Sequence, residues 1–302
     1  MNCQSIKLTS HQLKQLSHYS IWKQFGRLFF IFLLYVATAV IGYKINNMLI
    51  WFFVWGIQGL LLACCLVVVH DGAHGTFIRS RTVCRFLGVV VGSLLLVNFS
   101  LYRCLHLEHH RHTNVAGDTQ RPRQYSNIWH YFISIFHLKF PYRFIELSIK
   151  SMLDKFPSCA RSDNLRLQIK QDSMFFLVIV CVQLTIMVLY PRLFFSFYGI
   201  PIMFYLIYTF FLTTAEHSGC DNTDNPLRNV RTVMSNPIFR FLFWNFNYHA
   251  EHHAYPSVPA PNLIHVHRLL GTNFAHVEKS YIAVHLKLLQ IIVKKDPLRA
   301  RT

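Results

Sequence analysis

"MLIWFFVWGIQGLLLACCLVVVHDGAH", residues 48–74, runs for twenty-two positions without a charged residue and then places two histidines four apart. About 20 mostly apolar residues are enough to carry a helix across the hydrocarbon of a bilayer. Residues i and i+4 lie on one face of a helix. The stretch therefore reads as a membrane span, Met48–Val69, whose end presents His70 and His74 together.

Three further segments read the same way: Leu28–Tyr43, Met174–Tyr190 and Leu193–Thr214. Only "KINN" separates the first two spans, and Pro191 marks the break between the last two, so the four form two antiparallel hairpins. A fifth apolar run, Phe86–Leu101 ("FLGVVVGSLLLVNFSL"), is short and carries Gly88, Gly92 and Asn98. One crossing there would put the histidines at 70–74 and 106–112 on opposite membrane faces. A short re-entrant or interfacial helix is expected instead. The predicted fold is a single all-α integral membrane domain over 1–302, with four spans and a histidine-rich cytoplasmic cap.

Composition agrees. Hydrophobic residues make up 53% of the chain and charged residues only 14%, against about 25% charged in soluble domains. A formal charge of +17 would suit nucleic acid, but no helix-turn-helix, zinc-finger or RNA-binding signature accompanies it. The basic residues flank apolar segments instead, as membrane-adjacent charge does. Lys139, Arg143, Lys150, Lys155, Arg161, Arg166 and Lys170 crowd between the second and third spans, whereas the hairpin tips carry only Lys44 and Arg192. That asymmetry places the termini and every histidine cluster in the cytoplasm. The first twenty residues are polar for too long to be a signal peptide, so the first span is retained. The eight cysteines include an adjacent pair, Cys64–Cys65, but no C-x-x-C. Buried thiols are expected, rather than a zinc site or a disulfide framework. The stretch "YIAVHLKLLQIIVKK" (281–295) reads as a surface or interfacial amphipathic helix.

Two more clusters share one spacing, "HLEHH" at 106–110 and "HAEHH" at 249–253. In a helix, His106, His109 and His110 fall on one face, as do His249, His252 and His253. Neutral imidazole is the commonest metal ligand and suits iron, zinc, copper and nickel. Eight imidazoles are too many for one ion and suit two. His11, His18, His130, His137, His265, His267, His276 and His285 read as ordinary interfacial residues. His112 lies off the ligand face of its cluster and is read as a neighbour of the site or a surface residue. For His217, in "TTAEHSG", spacing alone leaves a ligand and a bystander both open.

"HDGAHG", "HLEHHRHTN" and "NYHAEHHAYPSVP" resemble the three histidine boxes of the membrane fatty acid desaturase family, and "AEHSG" and "NPIFRFLFWNFNYHAEHH" extend the likeness over about residues 50–270. The resemblance implies nine histidines holding two non-haem irons: His70, His74, His106, His109, His110, His217, His249, His252 and His253. It implies O2 as co-substrate, a lipid or acyl thioester substrate gaining a double bond, and a separate electron donor of ferredoxin or cytochrome b5 type. Thr213 stands where family members can place an asparagine that contacts the metal through water. His249 stands where front-end desaturases carry glutamine, and no "HPGG" haem motif occurs. Hydroxylases and ketolases share the boxes, so oxygenation of a hydrophobic substrate such as a carotenoid is the alternative. A non-enzymatic membrane protein that binds haem or transports metal through its histidines is a further one; histidines that flank rather than interrupt the spans argue against the transporter.

Overall fold

The computed structural model describes residues 7–45 and 47–295. The expected cytoplasmic termini lie outside the described residues. In chain order the helices are α1 (Ser10–Leu16), α2 (Ile21–Ile45), α3 (Met48–His74), α4 (Arg81–Leu94), α5 (Phe99–His112), α6 (Ile128–Ser134) and α7 (Lys139–Met152). They continue with α8 (Asp163–Leu189), α9 (Pro191–Phe194), α10 (Ile200–His217), α11 (Pro237–Leu242), α12 (His249–Ala254), α13 (Leu263–Leu270) and α14 (Tyr281–Lys295). The chain divides into two compact units, a span-bearing one (Ile21–Leu107 and Phe136–Thr209) and a second (Met1–Ser20, Glu108–Ile135 and Phe210–Thr302).

Four helices are long and apolar enough to cross a membrane: Ile21–Ile45, Met48–His74, Asp163–Leu189 and Pro191–His217. They fall at the four predicted spans and outrun them, because caps rather than hydropathy set the ends. Asn47 accepts from the Leu49 and Ile50 amides to start α3, and Ser162 accepts from Leu165 to start α8. At the other end of α3, Gly75 takes φ +72°, the left-handed turn that glycine adopts without a side-chain clash and that closes helices. The helix thus stops directly after His74. Phe29 and Phe32 of α2 are each 60% exposed, a surface that lipid, not water, suits.

The run Phe86–Leu101 is not one short helix. It breaks at Leu95–Asn98 into α4 and α5, which meet at 103°. Asn98 causes the break: its side chain accepts from the Leu101 amide and its carbonyl from Tyr102, which starts a new helix. Gly88 allows the fold-back, since a Cβ there would sit 2.3 Å from the Phe99 ring. The Asn98 amide then donates to Ser148 and Ser173, and Asp172 accepts from Arg85 at 2.7 Å and from the Ser100 hydroxyl. Asn98, Ser100, Ser148, Asp172 and Ser173, all buried, are thereby paired, as burial requires.

The expectation of buried thiols throughout fails twice. Cys104 and Cys159 form a disulfide, and Cys181 is an exposed thiol. Fifty-five residues separate the paired cysteines, so no local spacing announces them. In the second unit, Thr232–Val233 pairs in parallel with Val277–Glu278. Tyr131, Phe210 and Ile292 form a core there. The expected amphipathic helix is α14. It buries Val284, His285 and Ile292 while exposing Ile282, Leu286 and Ile291.

Candidate metal centre

Each histidine cluster sits where a helix presents it. His70 and His74 occupy the last turn of α3, one turn apart, with ring centroids 5.1 Å from each other. In α5, His106, His109 and His110 follow the i, i+3, i+4 rule. In α12, His249, His252 and His253 do the same within a helix of six residues. A helix that short needs outside support. Glu251, fully buried, supplies it by accepting from the Thr232 hydroxyl and from His267 Nδ1. His217 ends α10, where Arg231 donates to the Ala215 and Ser218 carbonyls and so satisfies the orphaned acceptors of the last turn.

In the span-bearing unit, His70, His74 and His106 offer ring nitrogens that all lie within 4.8 Å of one another. In the second unit, His109, His217 and His253 form one such group and Glu216, His217 and His249 another, with His217 in both. His252 Nε2 is 3.2 Å from His110 Nε2. The nine predicted ligands are thus all in multi-histidine arrangements within their own units. His112 belongs to none of these groups, and Thr213 is exposed.

The donor separations fit bound metal. Two imidazole nitrogens at about 2.0–2.1 Å from one ion stand about 3.0–3.4 Å apart, depending on the angle between them. His74 Nε2 and His106 Nε2 are 3.0 Å apart, as are His217 Nε2 and His249 Nε2. The tautomers fit as well. His109 Nδ1–H donates to Asp118 at 2.7 Å with both side chains buried, leaving Nε2 with its lone pair. The Thr113 hydroxyl spends its proton on the His109 carbonyl at 2.8 Å. Its contact with His253 Nδ1 at 3.2 Å is therefore an acceptance, and Nε2 of His253 again keeps the lone pair. That Nε2 is buried without a hydrogen-bond partner. A partner behind each ligating ring, fixing which nitrogen faces the ion, is the usual outer-sphere arrangement of metal-binding histidines. Burial, aided by His110, His249, His109 and His217, holds the His253 imidazole well below its ordinary pKa, so the ring stays neutral. Burial raises the Asp118 carboxyl, but hydrogen bonds from His109, Asn114 and Gln120 outweigh it and leave its pKa lowered.

Asp118, Thr113, Glu216, Glu251 and Asp71, whose Oδ1 lies 3.3 Å from His70 Nδ1, were not read from the sequence. Asp71 and Glu251 lie inside histidine boxes and Glu216 adjoins His217, so the candidate histidines themselves could have drawn attention to them. Asp118, nine residues beyond His109, gave no such signal. Two histidines expected to be interfacial are not. His285 is 6% exposed, accepting from Tyr131 at 2.8 Å and donating to the Phe211 carbonyl at 2.9 Å. His267 braces Glu251.

Four helices apolar enough to cross a membrane, joined to clusters of mostly buried imidazoles that could hold metal ions, define the class of protein. The family model described as "Fatty acid desaturase" matches residues 46–285, and the chain belongs to that family. It is 22% identical over 252 residues to an omega-3 fatty acid desaturase of the endoplasmic reticulum from Nicotiana tabacum, covering 75% of this chain and 66% of the relative. It is 24% identical over 297 residues to a chloroplastic, ferredoxin sn-2 acyl-lipid omega-3 desaturase from Arabidopsis thaliana, covering 85% of this chain and 64% of the relative. A cytochrome b5 acyl-lipid omega-3 desaturase of the Arabidopsis thaliana endoplasmic reticulum is 22% identical over 290 residues, covering 86% and 75% respectively. The chain therefore spans about two-thirds of the length of the first two of these relatives.

Proposed function

We propose that this protein is an O2-dependent membrane desaturase that introduces a double bond into a fatty-acyl chain of a lipid or acyl thioester. The observation that carries this reading is the set of paired imidazole nitrogens, 3.0–3.2 Å apart, on the three histidine boxes and His217, in a chain of the desaturase family. His70, His74, His106, His109, His110, His217, His249, His252 and His253 would hold two non-haem irons in a single domain. A bound di-iron pair supplies the O2-dependent oxidation that removes two hydrogens from adjacent unactivated carbons, which no side chain can perform.

The chain's own residues do the rest. Asp118 and Thr113 hold His109 and His253 in the ligating tautomer. Glu251, through Thr232 and His267, keeps α12 in place. Arg231 fixes the end of α10. For the hydrocarbon, the span-bearing unit offers an apolar cleft of about 590 Å³ whose lining includes Phe29, Phe32, Tyr35, Leu61, Leu95 and Tyr198. That size falls within the range of small-molecule sites, about 300–1,000 Å³. Relatives named for ferredoxin and for cytochrome b5 support a separate electron-transfer protein as donor. The basic segment Lys139–Lys170 and the near-uncharged hairpin tips support histidine boxes and termini in the cytoplasm.

The test is expression in a lipid-defined host, followed by mass spectrometry of fatty acids and pigments. A new double bond that depends on His217 is expected. An added hydroxyl or keto group with no new double bond would replace desaturation with oxygenation on the same scaffold.

A further inference from the structure

We propose that the Glu216 carboxylate is a metal ligand beside His217 and His249, so that one of the two ions has a mixed nitrogen–oxygen shell. The inference rests on the di-iron reading and departs from its all-histidine ligand set.

Glu216 precedes His217 on the last turn of α10 and is 3% exposed. Its carboxylate, His217 and His249 each present a donor atom within 4.8 Å of the others. Oε2 lies 3.8 Å from His249 Nε2, and that nitrogen is 3.0 Å from His217 Nε2. Two donors at about 2.0–2.2 Å from one ion can be separated by no more than about 4.4 Å. The two spacings to His249 fall within that limit, and the Glu216–His217 pair, within 4.8 Å, needs at most a side-chain adjustment of a few tenths of an ångström to share the ion. On its other side, Oε1 accepts from the Tyr281 hydroxyl at 3.4 Å, which orients the carboxylate and leaves Oε2 toward the imidazoles.

Charge gives the reason. A buried carboxylate is costly unless it meets a positive partner, and neither a tyrosine hydroxyl nor a neutral imidazole provides one. A divalent ion between Glu216, His217 and His249 would. Carboxylate oxygen is also a harder donor than imidazole, so the two ions of the pair would be inequivalent.

The experiment uses the full chain, purified in detergent and loaded with 57Fe, comparing wild type with Glu216→Gln, Tyr281→Phe and His217→Ala. Glu216→Gln is nearly isosteric and can still accept from Tyr281, but it lacks the anionic donor. We expect chelator competition to show iron held at least about 10-fold less tightly in Glu216→Gln, since even loss of an outer-sphere partner costs about 10- to 100-fold. Tyr281→Phe, which removes only the long 3.4 Å orienting hydrogen bond and keeps the anionic donor, should cost less than Glu216→Gln. Mössbauer spectra should show two distinct iron sites in wild type. If Glu216→Gln fails to fold, infrared difference spectra of wild type with and without iron still decide, because the absence of any iron-dependent shift in the carboxylate stretching bands would overturn the proposal. Wild-type affinity in a folded Glu216→Gln would overturn it too. The underlying reading fails separately, through a wild type that takes up no iron or a His217→Ala that keeps both.

Discussion

Replacing Asp118 with asparagine tests the idea that the chain sets the ligating tautomer from behind. Asp118 Oδ1 accepts from His109 Nδ1 at 2.7 Å and from the Gln120 amide at 2.8 Å, while Oδ2 accepts from the Asn114 amide at 2.8 Å. Asparagine has one oxygen where three donors converge. If the oxygen stays at the δ1 site, the new NH2 opposes the Asn114 N–H, and a buried unmet donor costs about 1–3 kcal/mol. If the amide flips, its NH2 faces His109, whose Nδ1 must then accept, and the proton moves to Nε2, where it blocks metal. Either orientation loses the charge that favours the ligating tautomer. Loss of such a partner typically costs about 10- to 100-fold in metal affinity, or about 1.4–2.7 kcal/mol. Iron per chain by plasma mass spectrometry, under a chelator titration and beside thermal unfolding in detergent, measures both costs. Asp118→Asn with wild-type iron retention and an unchanged unfolding temperature would refute the tautomer argument.

Other outcomes follow from the same structure. His217→Ala should lose iron and abolish product, whereas His112→Ala, outside every donor group, should keep its iron with at most a partial loss of product; the reverse pattern would remove His217 from the ligand set. His285 is held below its ordinary pKa of 6.5 mainly by burial, so the unfolded chain takes up the proton first. Its contribution to stability is full above about pH 6.5 and is lost as pH falls below that, by up to about 1.4 kcal/mol per pH unit. His285→Gln, which can still accept from Tyr131 and donate to Phe211, should flatten the decline in unfolding temperature between pH 7 and pH 5; an unchanged slope would place the titration elsewhere. Cysteines introduced at Asn47 and Pro191 should react with an impermeant thiol reagent from outside intact cells and one at Ser162 should not, and labelling of Ser162 would invert the topology.

The spans were legible because lipid as a solvent leaves no alternative. A run such as Met48–Val69 buries its backbone polar groups only as a helix, and nothing remote is needed to know it. The eight box histidines were legible for a related reason. Their spacing and the helix that realises it are both local, so α3, α5 and α12 present them as periodicity requires. His217 was not settled by spacing, because its relation to His249 at 3.0 Å joins residues thirty-two apart. Only the family likeness singled it out, and the fold then placed it in both donor groups of its unit.

What escaped the sequence has a common character. Asp118, Thr113, Glu251, His267 and the Cys104–Cys159 bridge act through partners that tertiary packing alone brings close, and their residue types are those of any polar loop. Ligand identity is imposed by the metal, which accepts few side chains, whereas orientation can be imposed by any donor or acceptor that geometry supplies. Thr113 shows the difference. Valine, of nearly the same shape, would fill the same space, yet it could not accept from His253 Nδ1 and would free that ring to choose its tautomer. Thr113→Val should therefore cost metal affinity with little loss of packing, and equal losses in iron retention and unfolding temperature would argue that Thr113 only fills space.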